Sequence, residues 1–275
     1  MGYNNRHITY KKLLEDINIM ENSKFNYVSM PSIDSTNNYA KFFIERNLSI
    51  DKPLILTSKR QTDGKGRYGK KFFSPEGGLY MSYLFEITSE EDLDYINYIT
   101  PITALLVKRA VEKFTKEEIS IKWVNDIYSN GKKVGGILTE FEQTNIGTSY
   151  VIIGIGLNCN ISERDLPLPD DLKDEIDFLH IDDLDGLRDE IANALYEAFP
   201  FKENFDHKIY LDEYKTNCIT LGKKIAVEYR SGTSQHGIAS DIDDDFRLII
   251  KDEDSNELTP LSSVEASITT LDKID

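Results

Sequence analysis

The chain has 275 residues and a formal net charge of −16, with 32 lysines and arginines against 48 aspartates and glutamates. That length accommodates one large domain or two unequal ones, and 40% hydrophobic residues suit a globular core. No apolar run approaches the roughly 20 residues that span a bilayer, the first residues lack the apolar core of a secretory signal, and the acidic balance argues against broad nucleic-acid or membrane-surface binding, both partners being polyanions.

The two cysteines, Cys159 and Cys218, form neither a disulfide framework nor a metal cluster. They predict a reducing, cytoplasmic setting, with Cys159 a plain buried thiol rather than a nucleophile. In chain order, Ile8, Leu13, Leu14 and Ile17 have helical spacing and predict a helix over 7–20. Ser35 or Thr36 is a candidate N-cap for a helix carrying Tyr39, Phe42 and Phe43. "KPLILTSKRQ" reads as a buried strand running into a basic loop, and "GLYMSYLFEI" as a strand with one core face. Residues 92–114 read as a helix that Pro101 bends or divides. "ISIKWVNDIYSNGKKVGGILTEFE" reads as two strands joined through Asn130-Gly131, a hairpin signal. "SYVIIGIGLNCN" is another strand, and the pattern turns helical over 163–216. From 217 onward short strands at close turns have the rhythm of a small β-barrel, with Asp241–Asp245 read as a solvated hairpin turn.

The loop "GKGRYGKK" is the anomaly in this acidic chain. From Lys59 to Lys71 it gathers Lys59, Arg60, Lys65, Arg67, Lys70 and Lys71 against Asp63, with Gly64, Gly66 and Gly69 between them. It fits G-x-G-x-x-G and nearly fits a P-loop. Both need a helix directly after the loop, and Pro75, Gly77 and Gly78 forbid one. Lys71 stands where a P-loop requires a hydroxyl, and neither H-R-D nor D-F-G follows for a kinase. A solvated turn is the plain alternative. Lying between two apolar strands, the loop instead suggests a closable anion cradle of glycine amides with Lys65 and Arg67.

Four segments in order, "SIDSTN", "QTDGKGRYGKKFFSPEGGLYMS", "KWVNDIYSNGKKVGGILTE" and "IIGIGLNCN", resemble the biotin protein ligases. The resemblance implies an α+β fold: a mixed, mostly antiparallel sheet with helices packed on it over 1–216, of which 1–25 is a short extension, and a small SH3-like β-barrel over 217–275. It also implies an activity, the joining of biotin to ATP as biotinyl-5′-AMP. The biotinyl group then passes to a lysine of a biotin carboxyl carrier protein or domain of a carboxylase, with Mg²⁺ accompanying the nucleotide. A carboxylate attacking the α-phosphate is an anion meeting an anion, so fixed positive charge is needed where charge develops. The mixed anhydride formed must then be kept from water. A basic, glycine-hinged flap that orders on the adenylate answers both needs.

Carried over residue by residue, Ser35, Thr36 and Asn37 match the segment lining the biotin pocket, and Gln61 the residue bonded to the biotin rings. Lys65, Gly66 and Arg67 match the loop contacting biotin and its adenylate. Lys133, otherwise an ordinary hairpin lysine, matches the one beside the reacting carboxylate and α-phosphate. Lys122 and Asn125 match the nucleotide-phosphate segment, Asp126 a residue near Mg²⁺, and Asn158 the nucleotide side. Gly135, Gly136, Gly154 and Gly156 would let the ligand lie against bare backbone. The sequence departs from the family at Lys65 and Lys70 for arginines, Phe72 for tryptophan, Val124 for proline and Thr269 for a frequent arginine. Competing implications are a lipoate-type ligase, whose own glycine-rich signature is unmatched, a ligase that is also a DNA-binding repressor, and a non-catalytic biotin-binding module. The repressor type carries an N-terminal winged helix of roughly 60 residues, whereas about 25 precede the match here, so no DNA and no membrane partner is expected.

Overall fold

The computed structural model describes residues 18–21, 24–46, 52–89, 95–161, 175–200 and 205–271. Its larger sheet contains β1 (Asn18–Glu21), β2 (Asn26–Met30), β3 (Leu54–Ser58), β4 (Leu79–Ile87), β5 (Ile119–Lys122), β6 (Asp126–Ser129), β7 (Lys132–Gln143) and β8 (Ser149–Leu157). They lie in the order β1-β2-β3-β4-β8-β7-β6-β5. The pair β2 and β3 is parallel and the other described pairs are antiparallel, giving the mixed sheet expected.

Helices cover both faces of this sheet. α1 (Thr36–Glu45) buries Ala40, Phe43 and Ile44 against Val28, Leu56, Leu84 and Ile152. On the other face α2 (Ile96–Val111) and α3 (Leu184–Ala198) pack Ile102, Leu105 and Leu195 against Tyr83, Phe85 and Ile153. The expected one-sided β4 is therefore buried on both faces: Tyr83 and Phe85 serve one core, Leu84 the other. α2 is one helix, undivided at Pro101. An interior proline costs on the order of 3 kcal/mol, and the burial of Ile99, Ile102, Leu105 and Leu106 around it offsets that loss.

Three further expectations change. Asn18–Glu21 is the strand β1, paired with Asn26–Ser29, where a helix was predicted; the rest of that predicted helix lies outside the described residues. The segment 119–140 makes three strands, because the chain reverses at Trp123–Asn125 as well as at Asn130-Gly131. The latter pair has φ 50° and 74°, as a tight hairpin turn demands. Within 163–216, Ile176 and Leu179 bridge to Lys133 and Cys159 as extended chain, before α3 and α4 (Lys208–Thr216) supply the expected helices.

The C-terminal strands β9 (Lys224–Tyr229), β10 (Ser234–Ile242), β11 (Leu248–Lys251), β12 (Leu258–Leu261) and β13 (Ala266–Thr270) form a second, antiparallel sheet ordered β12-β11-β10-β9-β13. Among the described residues β12 and β13 do not pair, so the small barrel is open. It adjoins the larger sheet: Ile225, Val227, Leu248 and Ile250 belong to the same apolar cluster as α2. Trp123 Nε1 donates to the Phe246 carbonyl at 3.0 Å, and Tyr214 donates to the Val124 carbonyl at 3.0 Å. The acidic turn is anchored rather than merely solvated. Asp243 accepts from the amides of Asp245 and Arg247, and Phe246, at φ 56°, is buried against Tyr214.

Two outcomes follow from this packing. A Cβ at Gly135 would lie 2.5 Å from Leu157 Cδ2 and 2.7 Å from the Gly156 carbonyl oxygen. Gly135→Ala should therefore destabilise the fold by ~1–3 kcal/mol, read as a lower urea midpoint; an unchanged midpoint would contradict the packing. Both cysteines are buried and unpaired, and burial pushes the Cys159 thiol up to about 12. Neither thiol should react with a thiol reagent at pH 8 in the native protein, and both should react in denaturant. Rapid native labelling of Cys159 would overturn this.

Candidate active site

The N-terminus of α1, the basic loop, the β5–β6 reversal, β7, β8 and β13 surround a cavity of about 700 Å³, a size suited to a cofactor-sized ligand. One end is neutral and heavily hydrogen-bonded. Asn37 Nδ2 donates to the Leu138 carbonyl at 3.3 Å and to Glu140 at 2.8 Å, while its Oδ1 accepts from Ser82 at 2.6 Å. Glu140 is held in turn by Lys41 at 2.8 Å. With both amide hydrogens engaged, Asn37 keeps acceptor capacity on Oδ1. Gln61 Oε1 accepts from the Thr36 amide at 2.8 Å and the Thr36 hydroxyl at 3.2 Å, and its Nε2 donates to Ser74 Oγ at 2.9 Å. Ser35 is the residue before α1 but makes no side-chain cap bond; it lines the cavity instead.

The other end is charged. Lys133 Nζ lies 2.6 Å from Asp126 Oδ1. Its placement comes from a bulge: Ile127 pairs with Gly135, but Tyr128 pairs with Lys133, so the intervening Val134 is the extra residue and turns inward to full burial. Lys122 lines the same wall, and burial pulls its ammonium below the usual lysine range, with the Asp126 carboxylate opposing. Asn125 Nδ2 donates to the Ile137 carbonyl at 2.9 Å, and its Oδ1 accepts from Arg67 Nη1 at 3.0 Å. Asn158 lines the cavity with its amide on the Val134 carbonyl at 2.8 Å.

The basic loop lies along this charged end as a short hairpin. Lys65 bridges to Lys71, and Arg67–Gly69 make a 3₁₀ turn. The Gly66 amide, expected to face an anion, donates to the Lys70 carbonyl at 2.8 Å. Like-charge repulsion is reduced by Asp63, which pairs with Lys65 and, at 3.4 Å, with Lys71. Those two cations hold its carboxyl below the usual range, Lys65 contributing most.

Every residue carried over from the resemblance lines the cavity except Gly135, which faces the β7–β8 packing, and of the three loop glycines only Gly66 reaches it. The glycines also act differently from the expectation of bare backbone for a ligand. A Cβ at Gly154 would meet Asn37 Oδ1 at 2.3 Å, and one at Gly156 would meet the Phe72 ring at 2.6 Å. These glycines make room for the protein's own Asn37 and Phe72. Gly136 faces Lys133 and Asp126. Sequence reasoning missed Glu175 and the β13 wall of Ala266–Thr270, which line the cavity, and Ser74, which holds Gln61 from behind. Of that wall only Thr269 had been singled out, as a departure from the family. Trp123 is buried in the core yet also lines the cavity. Among the described residues no three His, Cys, Asp or Glu side chains form a metal-binding group, and no helix is long and apolar enough to cross a membrane.

Residues 29–158 match the profile of the biotin/lipoate A/B protein ligase family. The bifunctional ligase/repressor BirA of Bacillus subtilis is 37% identical over 129 residues, 46% of this chain and 38% of that protein. The biotin–[acetyl-CoA-carboxylase] ligase of Mycobacterium tuberculosis is 24% identical over 204 residues, 72% of this chain and 73% of that one. The chain thus spans well under half the length of BirA but about three quarters of the mycobacterial ligase. The biotin protein ligase of Aquifex aeolicus, solved in complex with biotin and ATP, superposes with a TM-score of 0.74 at 24% identity, covering 90% of this chain and all of that one. That likeness establishes a shared fold. The segment from 29 to 158, which carries the neutral end, the basic loop and the Lys133 hairpin, is a biotin/lipoate A/B protein ligase family domain.

Proposed function

We propose that this protein is an ATP-dependent biotin ligase, making biotinyl-5′-AMP and passing the biotinyl group to one lysine of a biotin carboxyl carrier protein or domain. The observation that carries this reading is the polarity of one cavity, with Asn37, Gln61 and Thr36 at one end and Arg67, Lys122 and Lys133 at the other. A ureido ring brings both N–H donors and a carbonyl acceptor, which suits the neutral end. A carboxylate chain then reaches toward the cations.

In the first step the biotin carboxylate oxygen bonds to the α-phosphorus of ATP, and the bond to the leaving pyrophosphate breaks. Lys133 and Arg67 stabilise the charge that gathers on the phosphoryl oxygens. In the second step the acceptor lysine, having lost a proton, attacks the acyl carbon and AMP leaves. Mg²⁺, when bound with ATP, would neutralise phosphate charge, and Asp126 would hold it. One carboxylate, with Asp126 Oδ2 not committed to Lys133, fits an ion that keeps water and nucleotide phosphates as its other ligands. The neutral thiols support a cytoplasmic location, the net charge of −16 supports the absence of a DNA target, and we assign residues up to about 216 to the catalytic domain and 217–275 to a second, SH3-like one.

The test is pyrophosphate release from MgATP with biotin, with lipoate, and with no acid. Biotin alone should give turnover; turnover with lipoate alone would reassign the substrate. Lys133→Ala should slow adenylate formation by on the order of 10²-fold or more while leaving the thermal midpoint nearly unchanged, since Lys133 is a partly exposed hairpin residue. Adenylation within threefold of wild type would remove Lys133 from the site.

A further inference from the structure

Tyr68 ties the basic loop to the C-terminal sheet. It sits at φ 57° in the 3₁₀ turn, a left-handed conformation that a bulky residue adopts only when its surroundings fix it. Its hydroxyl oxygen lies 2.6 Å from the Ser263 carbonyl, 2.7 Å from the Ala266 carbonyl and 2.7 Å from Arg67 Nη2. A hydroxyl has one proton, so it donates to one of the two carbonyls and accepts from Arg67. Two guanidiniums lie over its ring, Arg67 at 4.8 Å and Arg230, from the turn after β9, at 5.2 Å, within cation–π range.

The consequence falls on Arg67. Its Nη1 donates to Asn125 on the larger sheet, and its Nη2 donates to both Tyr68 and the Ser263 carbonyl. Those bonds use three of five N–H groups. Among the described residues, the Nε hydrogen and one on Nη1 remain for an anion. A loop with three glycines would otherwise sample many conformations, and a phosphate contact needs its donor in place beforehand.

We infer that Tyr68 is a positioning residue: by latching the basic loop onto the segment that leads into β13, it fixes Arg67 at the cavity and makes the C-terminal sheet a working part of the site. This rests on the ligase reading for its catalytic consequence, but the latch itself is independent of it.

The experiment uses the full chain and Tyr68→Phe, which keeps the ring and removes the hydroxyl. Trypsin cutting at Lys65, Arg67, Lys70 and Lys71, with no ligand needed, should be about 5- to 20-fold faster in Tyr68→Phe, and Arg230→Gln should move it in the same direction. With biotin and MgATP, kcat/KM for pyrophosphate release should fall by a similar factor. In an Arg67→Ala background the same Tyr68→Phe change should matter less than twofold, because nothing remains to be positioned. Unchanged cutting of the loop, or an equal loss of kcat/KM in both backgrounds, would overturn the latch. Wild-type protein that releases no biotin-dependent pyrophosphate would overturn the ligase reading alone, with the trypsin result still deciding the latch.

Discussion

The cavity depends on β8 presenting no side chain at Gly154 and Gly156. In a central strand with neighbours on both sides, any Cβ at these positions would collide with Asn37 or Phe72. Because the space is open, the start of α1 and the base of the basic loop descend onto the sheet from one side. The sheet surface thereby becomes the floor of a site instead of another layer of core. The same choice brings Asn37 within reach of Ser82 on β4 and Glu140 on β7, so the polar groups at the neutral end have fixed partners, as buried polar groups require.

Electrostatics at the other end follow from local pairing rather than from net charge. The chain carries −16 overall, yet the cavity gathers Lys65, Arg67, Lys70, Lys71, Lys122 and Lys133. Acids are rationed there: Asp63 serves Lys65 and Lys71, and Asp126 serves Lys133. Lys122, half-buried without a carboxylate at bonding distance among the described residues, has its ammonium pulled below the usual lysine range. A cluster of this kind is costly to hold without an anion and favourable with one, the behaviour wanted around a phosphoryl group.

The legible part of the sequence was what local pattern determines. Apolar runs marked β3 and β8, alternation marked β4, the Asn130-Gly131 pair marked its hairpin, and the motif segments contain most of the cavity lining. The less legible part depends on tertiary context. The burial of β4 on both faces requires knowing that α1 lies opposite α2. The break between β5 and β6 and the bulge at Val134 have no composition signal. The β13 wall reaches the cavity only because the second sheet packs against the first, and the strand β1 falls at the end of a segment whose apolar spacing reads as a helix. Gly135, a motif glycine, proved to serve packing between strands, a role that spacing alone does not separate from ligand contact.

The central claim is that one cavity holds biotin at its neutral end and the reacting phosphate at its cationic end. The direct test is a crystal structure of the full chain grown with biotin and MgATP. The account predicts the bicyclic ring beside Asn37 and Gln61, with a phosphoryl oxygen within about 3 Å of both Lys133 and Arg67. A ligand bound outside this cavity, or in it with its carboxyl end turned away from both cations, would contradict the account.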